Sequence, residues 1–481
     1  MNKKKLAAIS TVLCLMISGC SSKEETAEAS DTADTNSIET ADTKETTLIS
    51  KDDIAIDETY ENDEDGGHAI EVSGTEASYA NIAVKKTGDS SGDEADFYGE
   101  NAAVFAYDGT TLNLSKIVVE TDGTHANGVF SYGEGTTVNI SDSLIETSGN
   151  CSGGLMTTGG GTMNAENLNV HTTGNSSAAI RSDRGGGNVN VTGGSYITDG
   201  KGSPAIYSTA DITVSDAYLE STSSQGVVVE GQNSVTLNDV TLVADNVSKN
   251  SDKSDTYQAV MIYQSMSGDA DEGLASFTMN GGSLTNKNGD IFFVNNTVAA
   301  ISLSDVTIVN EDAEGVFLRA EAAGWGSEGS NGGHVTLYAS RQNIGGDILV
   351  DDVSDLNLYL KDSSVFTGSI NPAGEEGEVY VEIEKGSQWT LTEDSYITSL
   401  TCDADAIDLN GHKLYVDGAE YEESQASEGE AIEAVLSSSS DHGGSMPEMP
   451  ADGGHGPGEG GTPPEKPDGE KPSGKPGDHH G

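Results

Sequence analysis

Two similar stretches show the repeat of this chain: residues 103–119 read AVFAYDGTTLNLSKIVV, and residues 128–145 read GVFSYGEGTTVNISDSLI. Each copy holds a small residue followed by an aliphatic one, then a polar turn with glycine, then a triplet in which two apolar residues flank a polar one. Apolar residues at every second position are typical of a strand with one buried face. The stretches therefore predict short strands joined by turns.

The apolar-polar-apolar triplet is the most regular feature of the chain. It recurs every 21 to 26 residues, with a few longer gaps. Its twelve copies are Leu112–Leu114, Val138–Ile140, Met163–Ala165, Val189–Val191, Ile212–Val214, Val235–Leu237, Phe277–Met279, Ile301–Leu303, Val335–Leu337, Leu356–Leu358, Val379–Val381 and Ile407–Leu409. One copy cannot bury its own apolar face, so the copies must stack, which predicts about twelve coils spaced roughly 4.8 Å apart.

Two further apolar segments accompany most triplets. One precedes the triplet and joins a small residue to an aliphatic one, as in Ala103-Val104, Gly128-Val129, Gly154-Leu155, Ala179-Ile180, Ala205-Ile206 and Gly226-Val227. The other follows the triplet, as in Ile117–Val119 and Leu168–Val170. Three short strands per coil, with Gly-rich turns and no helical period, predict an all-β, right-handed parallel β-helix. The leucine framework of leucine-rich repeats is absent, and propeller blades need about 40 residues each.

The repeat also sets the expected domain boundaries. The coils are predicted over residues 101–417, with an N-terminal cap coil over 69–100 and a C-terminal cap over 418–436. Both ends of a stack need covering, because an open end exposes apolar surface and unpaired backbone groups. Within the second cap, Glu428–Leu436 is predicted to form a short helix.

The amino-acid composition excludes several classes of protein. The chain has 481 residues, of which 80 are Asp or Glu and 23 are Lys or Arg, for a formal net charge of −57. Binding to nucleic acid needs clustered basic side chains, so this acidity excludes it. Glycine contributes 60 residues without a Gly-X-Y period, which excludes collagen. An exported, Gly-rich and β-rich protein remains.

The first twenty residues indicate the destination of the chain. Three lysines within residues 1–5 precede the apolar run Leu6–Ile17, which is too short for a retained membrane span. The run ends in Ile17-Ser18-Gly19-Cys20, which resembles the lipobox of bacterial lipoproteins. The resemblance implies a signal peptide over 1–19, lipidation of Cys20, and an extracytoplasmic protein anchored to the membrane by its lipid.

Both ends of the predicted mature chain are expected to be disordered. Residues 21–65 contain 16 acidic and 3 basic residues, so residues 20–68 are predicted to form an extended, self-repelling stalk. Residues 437–481 are rich in Gly, Pro and His and are predicted to form a second disordered tail.

Two further cysteines remain in the predicted mature chain. Cys151 and Cys402 lie near the third and twelfth triplets, too far apart in a stack to form a disulfide. His125 and Cys151 each lie three residues before the small residue that opens a coil. Stacking predicts a separation of about 5 Å, close enough to share a soft metal, although two ligands without a third leave the metal undetermined.

Several stretches carry a resemblance to a known family. They are Asp96–Gly99, Arg184–Gly187, Ser203–Ser208 and Met261–Asp269. With the lipobox, the acidic stalk and the Asn/Thr-rich coils, they resemble adhesin-like parallel β-helix proteins within the pectin-lyase-like superfamily. The resemblance implies a β-helix at the cell surface over about residues 69–420. It does not supply a ligand or a reaction.

The resemblance also implies an enzymatic interpretation. Lyases of that superfamily use Ca²⁺ bound by Asp residues together with a basic residue. Arg181, Asp183 and Arg184 are the candidate catalytic residues under this interpretation, and a surface salt bridge that holds the turn before Gly185–Gly187 is the alternative. The Gly454-His455-Gly456 sequence, which resembles a hydrolase motif, falls in the predicted tail.

Aromatic residues offer a different candidate surface. Strand parity predicts that Tyr338, Tyr359 and Tyr380 point outward from successive coils, with Trp325 nearby in an inserted loop. Such rings stack on sugar faces, whereas the alternative is that they pack under the loop as a small second core. A polar outward column, which the triplets also present, is a second possible contact for a polymer. It runs through Asn113, Asn139, Asn164, Asn190, Thr213, Thr236, Thr278, Ser302 and Thr336.

The combined prediction is a lipid-anchored surface β-helix that binds carbohydrate or another surface polymer without turnover. A Ca²⁺-dependent polysaccharide lyase or hydrolase and a non-binding structural spacer are the alternatives. The acidic groups Asp269–Glu272 and Asp403–Asp405 are compatible with stabilising Ca²⁺, but neither has the spacing of an EF-hand loop. No other cofactor is predicted.

Overall fold

The computed structural model describes residues 49–249, 251–374 and 377–433. The chain divides into two compact units, Met1–Glu45 and Thr46–Gly481, and the first lies entirely outside these residues. The predicted signal peptide, the predicted lipidation site Cys20 and the predicted tail 437–481 also lie outside them. Within the described residues the only helical elements are the 3₁₀ turn Lys51–Asp53 and the five-residue helix α1 (Asp93–Phe97).

Short strands make up nearly all the regular structure. The first eleven are β1 (Glu58–Asn62), β2 (Ile70–Ser73), β3 (Glu76–Lys86), β4 (Val104–Tyr107), β5 (Thr111–Thr121), β6 (Val129–Tyr132), β7 (Thr137–Thr147), β8 (Leu155–Thr158), β9 (Gly161–Thr172), β10 (Ile180–Ser182) and β11 (Gly187–Thr198). The next twelve are β12 (Ile206–Ser208), β13 (Asp211–Ser215), β14 (Tyr218–Ser221), β15 (Val227–Glu230), β16 (Ser234–Asn238), β17 (Thr241–Ala244), β18 (Gln258–Tyr263), β19 (Leu274–Asn280), β20 (Ser283–Asn286), β21 (Asp290–Asn295), β22 (Thr297–Ser304) and β23 (Thr307–Asn310). The last thirteen are β24 (Leu318–Ala320), β25 (Gly333–Ser340), β26 (Asn343–Gly345), β27 (Ile348–Val350), β28 (Asp355–Lys361), β29 (Val365–Thr367), β30 (Glu378–Ile383), β31 (Gln388–Thr390), β32 (Ser395–Ile397), β33 (Ser399–Cys402), β34 (Ile407–Asp408), β35 (Leu414–Val416) and β36 (Ala419–Glu420).

The triplets form one long parallel sheet. It has 18 strands, namely β1, β3, β5, β7, β9, β11, β13, β14, β16, β17, β19, β20, β22, β23, β25, β28, β30 and β33. Equivalent triplet residues pair in register, so that Leu112 pairs with Val138 and Val138 with Met163. Eleven of the twelve predicted triplets lie in this sheet.

The twelfth triplet is an exception. Ile407 and Asp408 form β34, which pairs with β31 in a separate four-stranded sheet of β26, β29, β31 and β34. At this level the long sheet is continued by β33 instead, where Leu400 pairs with Val381. An alternating triplet predicts a strand and its buried face, but the turn lengths before it determine which sheet the strand joins.

The small-aliphatic segments form a second parallel sheet of 11 strands. It consists of β2, β4, β6, β8, β10, β12, β15, β18, β21, β24 and β27. Val104, Val129 and Leu155 are paired in register in this sheet, and their side chains are buried. Together with the long sheet it encloses one apolar core that runs from Ile70 to Leu414. Long parallel sheets with almost no helix fit a parallel β-helix.

The third apolar segment is not always a separate strand. In β5, β7, β9 and β11 it continues the strand of the triplet, giving strands of 11 or 12 residues. Left-handed residues bend these long strands, one each in β5, β7 and β9, for example Asp142 (φ 47°) and Asn167 (φ 53°), and the pair Gly193 and Gly194 in β11. Asn and Asp tolerate this conformation better than other residues with a Cβ, which explains their place at the bend.

The ends of the described chain differ in part from expectation. Residues 49–68 belong to the predicted stalk, yet β1 pairs with β3 and Ile54 is buried against Val118 and Leu144. This part of the stalk is folded, because its few apolar residues reach the neighbouring strands. The helix predicted over Glu428–Leu436 is absent from residues 428–433, which are irregular, and its last three residues lie outside the described ones.

Two smaller findings complete the fold. Cys151 and Cys402 are both free thiols, as the predicted stacking requires. No helix among the described residues is long and apolar enough to cross a membrane.

Candidate functional site

The 11-stranded sheet has an unusual outer face. Because Val104 points into the core, the next residue of β4, Phe105, points away from it. The residues paired with Phe105 form an outer column of Phe105, Phe130, Met156, Arg181, Tyr207, Val228, Met261, Phe293 and Arg319. Most of these side chains are large and apolar, and most are buried, so inserted segments must cover this face.

The segment that contains α1 covers the first part of the outer column. The carbonyl of Phe97 accepts a 2.7 Å hydrogen bond from the Thr158 hydroxyl, and the Tyr98 ring contacts Tyr132. Gly99 lies so close to the Phe105 ring that a Cβ would come within 2.3 Å of it. This segment therefore closes over Phe105 and Phe130.

Trp325 covers a later part of the same column. Its ring packs edge-on against Tyr263 at 5.2 Å, in a cluster with Val228, Met261 and Phe293. The surrounding space is a pocket of about 290 Å³, which we call the Trp325 pocket. It is lined by Gly202, Pro204, Tyr207, Gln225, Val228, Asn246, Lys249, Ser251, Lys253, Ser254, Thr256, Gln258, Met261, Tyr263 and Trp325.

A buried carboxylate holds the tyrosines of this pocket. Glu230 is 1% exposed and accepts hydrogen bonds from the hydroxyls of Tyr207, Tyr263 and Ser265. Burial raises the pKa of both tyrosines well above the ordinary value, and the nearby Glu230 charge adds to the effect. The phenols are therefore neutral donors with fixed orientation, and they present their rings rather than their hydroxyls to the pocket.

The candidate catalytic residues are engaged with each other and with their neighbours. Arg181 binds Asp183 through its Nε and Nη2 atoms at 2.9 and 2.6 Å, and both side chains are largely buried. Burial raises the pKa of the Asp183 carboxyl, while the adjacent guanidinium opposes the shift. The salt-bridge alternative predicts this pair, although it places the pair on the surface.

Arg184 joins two inserted segments. It pairs with Asp269 at 3.0 Å and with Asp93 at 3.5 Å, and its guanidinium lies 3.8 Å from the Phe97 ring centre. It thus ties α1 and the loop of Asp269 to the 11-stranded sheet. Each guanidinium is held by at least one carboxylate, so neither Arg181 nor Arg184 is free to act as a general base.

The three tyrosines of the long sheet are only partly arranged as predicted. Tyr338 and Tyr359 are paired in register, and their rings stack at 5.0 Å with an angle of 15°. Tyr338 is 40% exposed, and Lys361 Nζ lies 5.4 and 5.1 Å from the two ring centres. This pair forms an exposed aromatic patch.

The exposure predicted for Tyr380 is wrong, since this residue is only 3% exposed. It pairs with Asn357 rather than Tyr359, and its hydroxyl contacts Glu382 and Thr401. Residues 427–433 cross this part of the sheet, with the Asn357 side chain exchanging two hydrogen bonds with the backbone of Ile432. Strand parity does not reveal a segment that returns from elsewhere in the chain.

Trp325 does not join the tyrosine patch. It packs on the outer face of the 11-stranded sheet, whereas Tyr338 and Tyr359 lie on the 18-stranded sheet. The sequence interpretation missed Tyr207 and Tyr263 as neighbours of Trp325, and Glu230 as the carboxylate that holds both tyrosines. A signal was present, because bulky residues recur directly after the small-aliphatic segment, where a solvated face would carry polar ones.

The predicted polar column is present and partly hydrogen-bonded to itself. Asn139 donates to Asn113, Asn164 to Asn139 and Asn190 to Asn164, at 2.9 to 3.0 Å. These amides line a shallow groove of about 790 Å³ on the long sheet. Because each bond occupies one donor and one acceptor, the ladder offers a polymer fewer free groups than four separate amides would.

One potential metal-binding group is found among the described residues: Asp96, His125 and Cys151, whose ligand atoms all lie within 4.8 Å of one another. His125 and Cys151 are close, as stacking predicts, and α1 supplies the third side chain, which the sequence interpretation missed. Among the residues that the structure describes, neither Asp269–Glu272 nor Asp403–Asp405 forms a group of three such ligands. Asp269 is instead paired with Arg184.

Comparison with protein-family models, with curated proteins and with solved structures finds no match to this chain.

Proposed function

We propose that this chain is a lipid-anchored surface protein whose folded unit binds carbohydrate without turning it over. In this proposal the parallel sheets form a right-handed β-helix of about twelve coils, carried on a stalk behind Cys20. The observation that supports binding most directly is the Trp325 pocket, which combines an aromatic wall with many polar side chains.

The aromatic wall offers a stacking surface for a sugar ring. Trp325 and Tyr263 meet edge to face, and Met261 lies beside them in the same cluster. The apolar faces of sugar rings stack on aromatic side chains, which lose little conformational entropy when they are already held in place. Glu230 holds Tyr263, and the backbone N–H of Gly324 bonds to the Lys253 carbonyl at 2.7 Å, so the wall is largely preformed.

The polar lining supplies partners for hydroxyl groups. Lys253 Nζ lies 5.7 Å from the Trp325 ring centre and is available as a donor at the edge of the stacking surface. Asn246 and Gln258 are buried, and their side-chain oxygens have no hydrogen-bond partner among the described residues. A small rotation of either carboxamide would offer an acceptor to a bound hydroxyl. A few polar groups around an apolar wall are typical of small-ligand sites.

The Tyr338–Tyr359 patch supports attachment of a longer polymer. Two stacked rings with one exposed face, flanked by Lys361, form a flat contact on the other large sheet. It lacks walls, so we assign it the weaker contact and the Trp325 pocket the stronger one.

Affinity electrophoresis tests this function. The full chain is run through gels that contain pectic, cellulosic, hemicellulosic or mucin polymers, with Ca²⁺ or with EDTA. We expect retardation by one polymer class, with at least a roughly tenfold weaker retention for Trp325→Ala because the stacking surface is lost. Tyr338→Ala should weaken retention less.

Tyr415→Ala is the matched control. Tyr415 stacks on Tyr396 at 4.8 Å in the three-stranded sheet of β32, β35 and β36, away from both aromatic surfaces, and its loss should leave retention unchanged. Free migration of the unmodified chain in every gel would contradict carbohydrate binding. Equal retention of Trp325→Ala and the unmodified chain would remove the pocket from the proposal, and clearing of a polymer around the band would favour the lyase or hydrolase.

A further inference from the structure

His125 and Cys151 occupy equivalent positions in consecutive turns. Both adopt the left-handed conformation, with φ of 58° and 56°, in the turns that lead into β6 and β8. The N–H of His125 bonds to the Asn150 carbonyl at 2.9 Å, and the N–H of Cys151 bonds to the Asn175 carbonyl at 2.8 Å. These backbone bonds stack one turn on the next, which sets the two side chains beside each other.

Asp96 completes the group from a different element. It lies on α1, which the contacts of Phe97 and Tyr98 hold against the outer face of the 11-stranded sheet. Its Oδ1 atom is 2.9 Å from His125 Nδ1, and the ligand atoms of all three residues lie within 4.8 Å of one another. A thiol, an imidazole and a carboxyl thus converge from three places in the chain.

The imidazole is buried between the other two side chains of the group. His125 is 8% exposed, and its Nδ1 atom forms an ion pair with Asp96 Oδ1 that is not aligned as a hydrogen bond. The three side chains therefore lie close together without a network of well-aligned hydrogen bonds at Nδ1.

We propose that Asp96, His125 and Cys151 form a binding site for a borderline transition-metal cation such as Zn²⁺. Thiolate and imidazole are ligands that Zn²⁺ favours, whereas Ca²⁺ takes oxygen ligands and does not suit this set. Zinc sites with three protein ligands retain a fourth position for water or another ligand.

The geometry needs only small adjustments to accept the ion. Zinc–ligand bonds of about 2.0 to 2.3 Å in a tetrahedron separate the ligand atoms by roughly 3.3 to 3.6 Å. The distance between Asp96 Oδ1 and His125 Nδ1, 2.9 Å, must increase slightly. The longest distance between any two ligand atoms is at most 4.8 Å and must shorten by about 1 Å. Asp96 and Cys151 are only partly buried, which leaves a path for the ion to enter.

The bound ion would fasten α1 to the stack. The segment around α1 covers Phe105 and Phe130, and the carboxylate of Asp96 is the side chain that the metal would hold. Binding to the folded state alone raises its stability, so saturating Zn²⁺ should raise the midpoint of thermal unfolding.

Cobalt titration tests the site in the full chain after removal of metals with a chelator. A thiolate bound to Co²⁺ gives a charge-transfer band in the near ultraviolet, and a tetrahedral site gives visible d–d bands. We expect both bands to saturate at one equivalent, to disappear in Cys151→Ser and to persist in Cys402→Ser, which removes the other free thiol. Asp96→Asn should weaken the affinity roughly tenfold or more.

The thiolate band separates this site from the histidines of residues 437–481, which bind Co²⁺ without sulfur. A background with Cys14→Ser and Cys20→Ser removes the other two cysteines of the full chain. A second measurement needs no variant: Zn²⁺ should slow alkylation of Cys151 by iodoacetamide more than tenfold, and EDTA should restore the rate. Absence of a Cys151-dependent band, or alkylation at the same rate with and without Zn²⁺, would overturn the proposal.

Discussion

At the scale of single residues, several polar groups within this fold are buried without partners. Tyr196 shows this most simply. It is 0% exposed and stands in an otherwise aliphatic column of the long sheet, between Val170 and Leu219, and its hydroxyl has no hydrogen-bond partner in the described part of the chain. The ring contributes packing, whereas the hydroxyl group contributes an uncompensated desolvation cost.

Tyr196→Phe should therefore stabilise the protein, by about 1 kcal/mol, because it keeps the ring and removes the unpaired hydroxyl. The urea midpoint of unfolding is the measurement. Tyr218→Phe is the matched control on the adjoining strand, since the Tyr218 hydroxyl donates to Glu220 at 2.7 Å and its removal should not stabilise. A lower midpoint for Tyr196→Phe than for the unmodified chain would contradict this account.

His334 provides a pH-dependent contribution. It is paired in register with Asp355, and its Nδ1 atom lies 2.5 Å from Asp355 Oδ2. This hydrogen bond raises the pKa of the imidazole above 6.5, while burial opposes the shift. The charged form is favoured in the folded state, so the contribution is fully present below pH 6.5 and is lost as the pH rises through the folded pKa.

We expect His334→Gln to lower the urea midpoint more at about pH 5.5 than at about pH 9, since only the lower pH retains the charged pair. Asp355→Asn supplies the control background, in which the substitution of His334 should have a similar effect at both pH values. An equal loss at the two pH values in the native background would show that the pair does not contribute through its charge.

At the scale of elements, one column of glycines sets how closely the turns approach. In Gly123, Gly149, Gly174 and Gly200, a Cβ would lie only 1.8 to 2.0 Å from the carbonyl oxygen of the glycine one repeat earlier. No side chain fits at that distance, so the stacking distance of the sheets requires glycine here. Other glycines are needed only for their positive φ, as at Gly133 (φ 88°), which has open space around it.

Gly174→Ala should accordingly cost about 3 kcal/mol or more, because its Cβ would overlap the Gly149 carbonyl and force the turns apart. Gly133→Ala, which meets only the left-handed backbone penalty, should cost about 1–2 kcal/mol. Urea unfolding of both variants measures the difference. If the two losses were equal, steric contact between turns would not be the reason for the column.

At the scale of the whole folded unit, each repeat contacts its neighbours and few others. Pairings in both large sheets run almost entirely between consecutive equivalent strands, and the core is one continuous cluster. In such a stack stability accumulates between neighbours, so damage should remain local rather than spread.

Phe292→Ala tests this locality. Phe292 lies between Phe277 and Phe317 in the core, with ring centres 5.6 and 5.5 Å away, and its truncation should cost about 3–5 kcal/mol. Amide hydrogen exchange should rise in β18, β21 and β24 and stay unchanged in β4, β6 and β8. Ile145→Ala should show the reverse distribution, and uniform loss of protection in either variant would indicate a single cooperative unit.

Much of the fold follows from local pattern. Alternation in the triplets predicts strands, and the recurring small-aliphatic segments predict the second sheet and its register, because each strand must bury one face against an equivalent neighbour. The close approach of His125 and Cys151 follows from the same regular spacing.

The candidate sites depend on contacts that no periodic pattern contains. Alternation indicates which way a side chain points from its own strand, but inserted segments determine whether that side is open to solvent. The return of residues 427–433 buries Tyr380, the loop before β25 carries Trp325 to the 11-stranded sheet, and α1 brings Asp96 to His125. The strands, their buried faces and most of their pairing follow from the amino-acid sequence alone, since these are set by neighbours one repeat away. The covering of the outer surfaces and the meeting of distant side chains become visible only in the folded chain, because long insertions pack according to the whole surface beneath them.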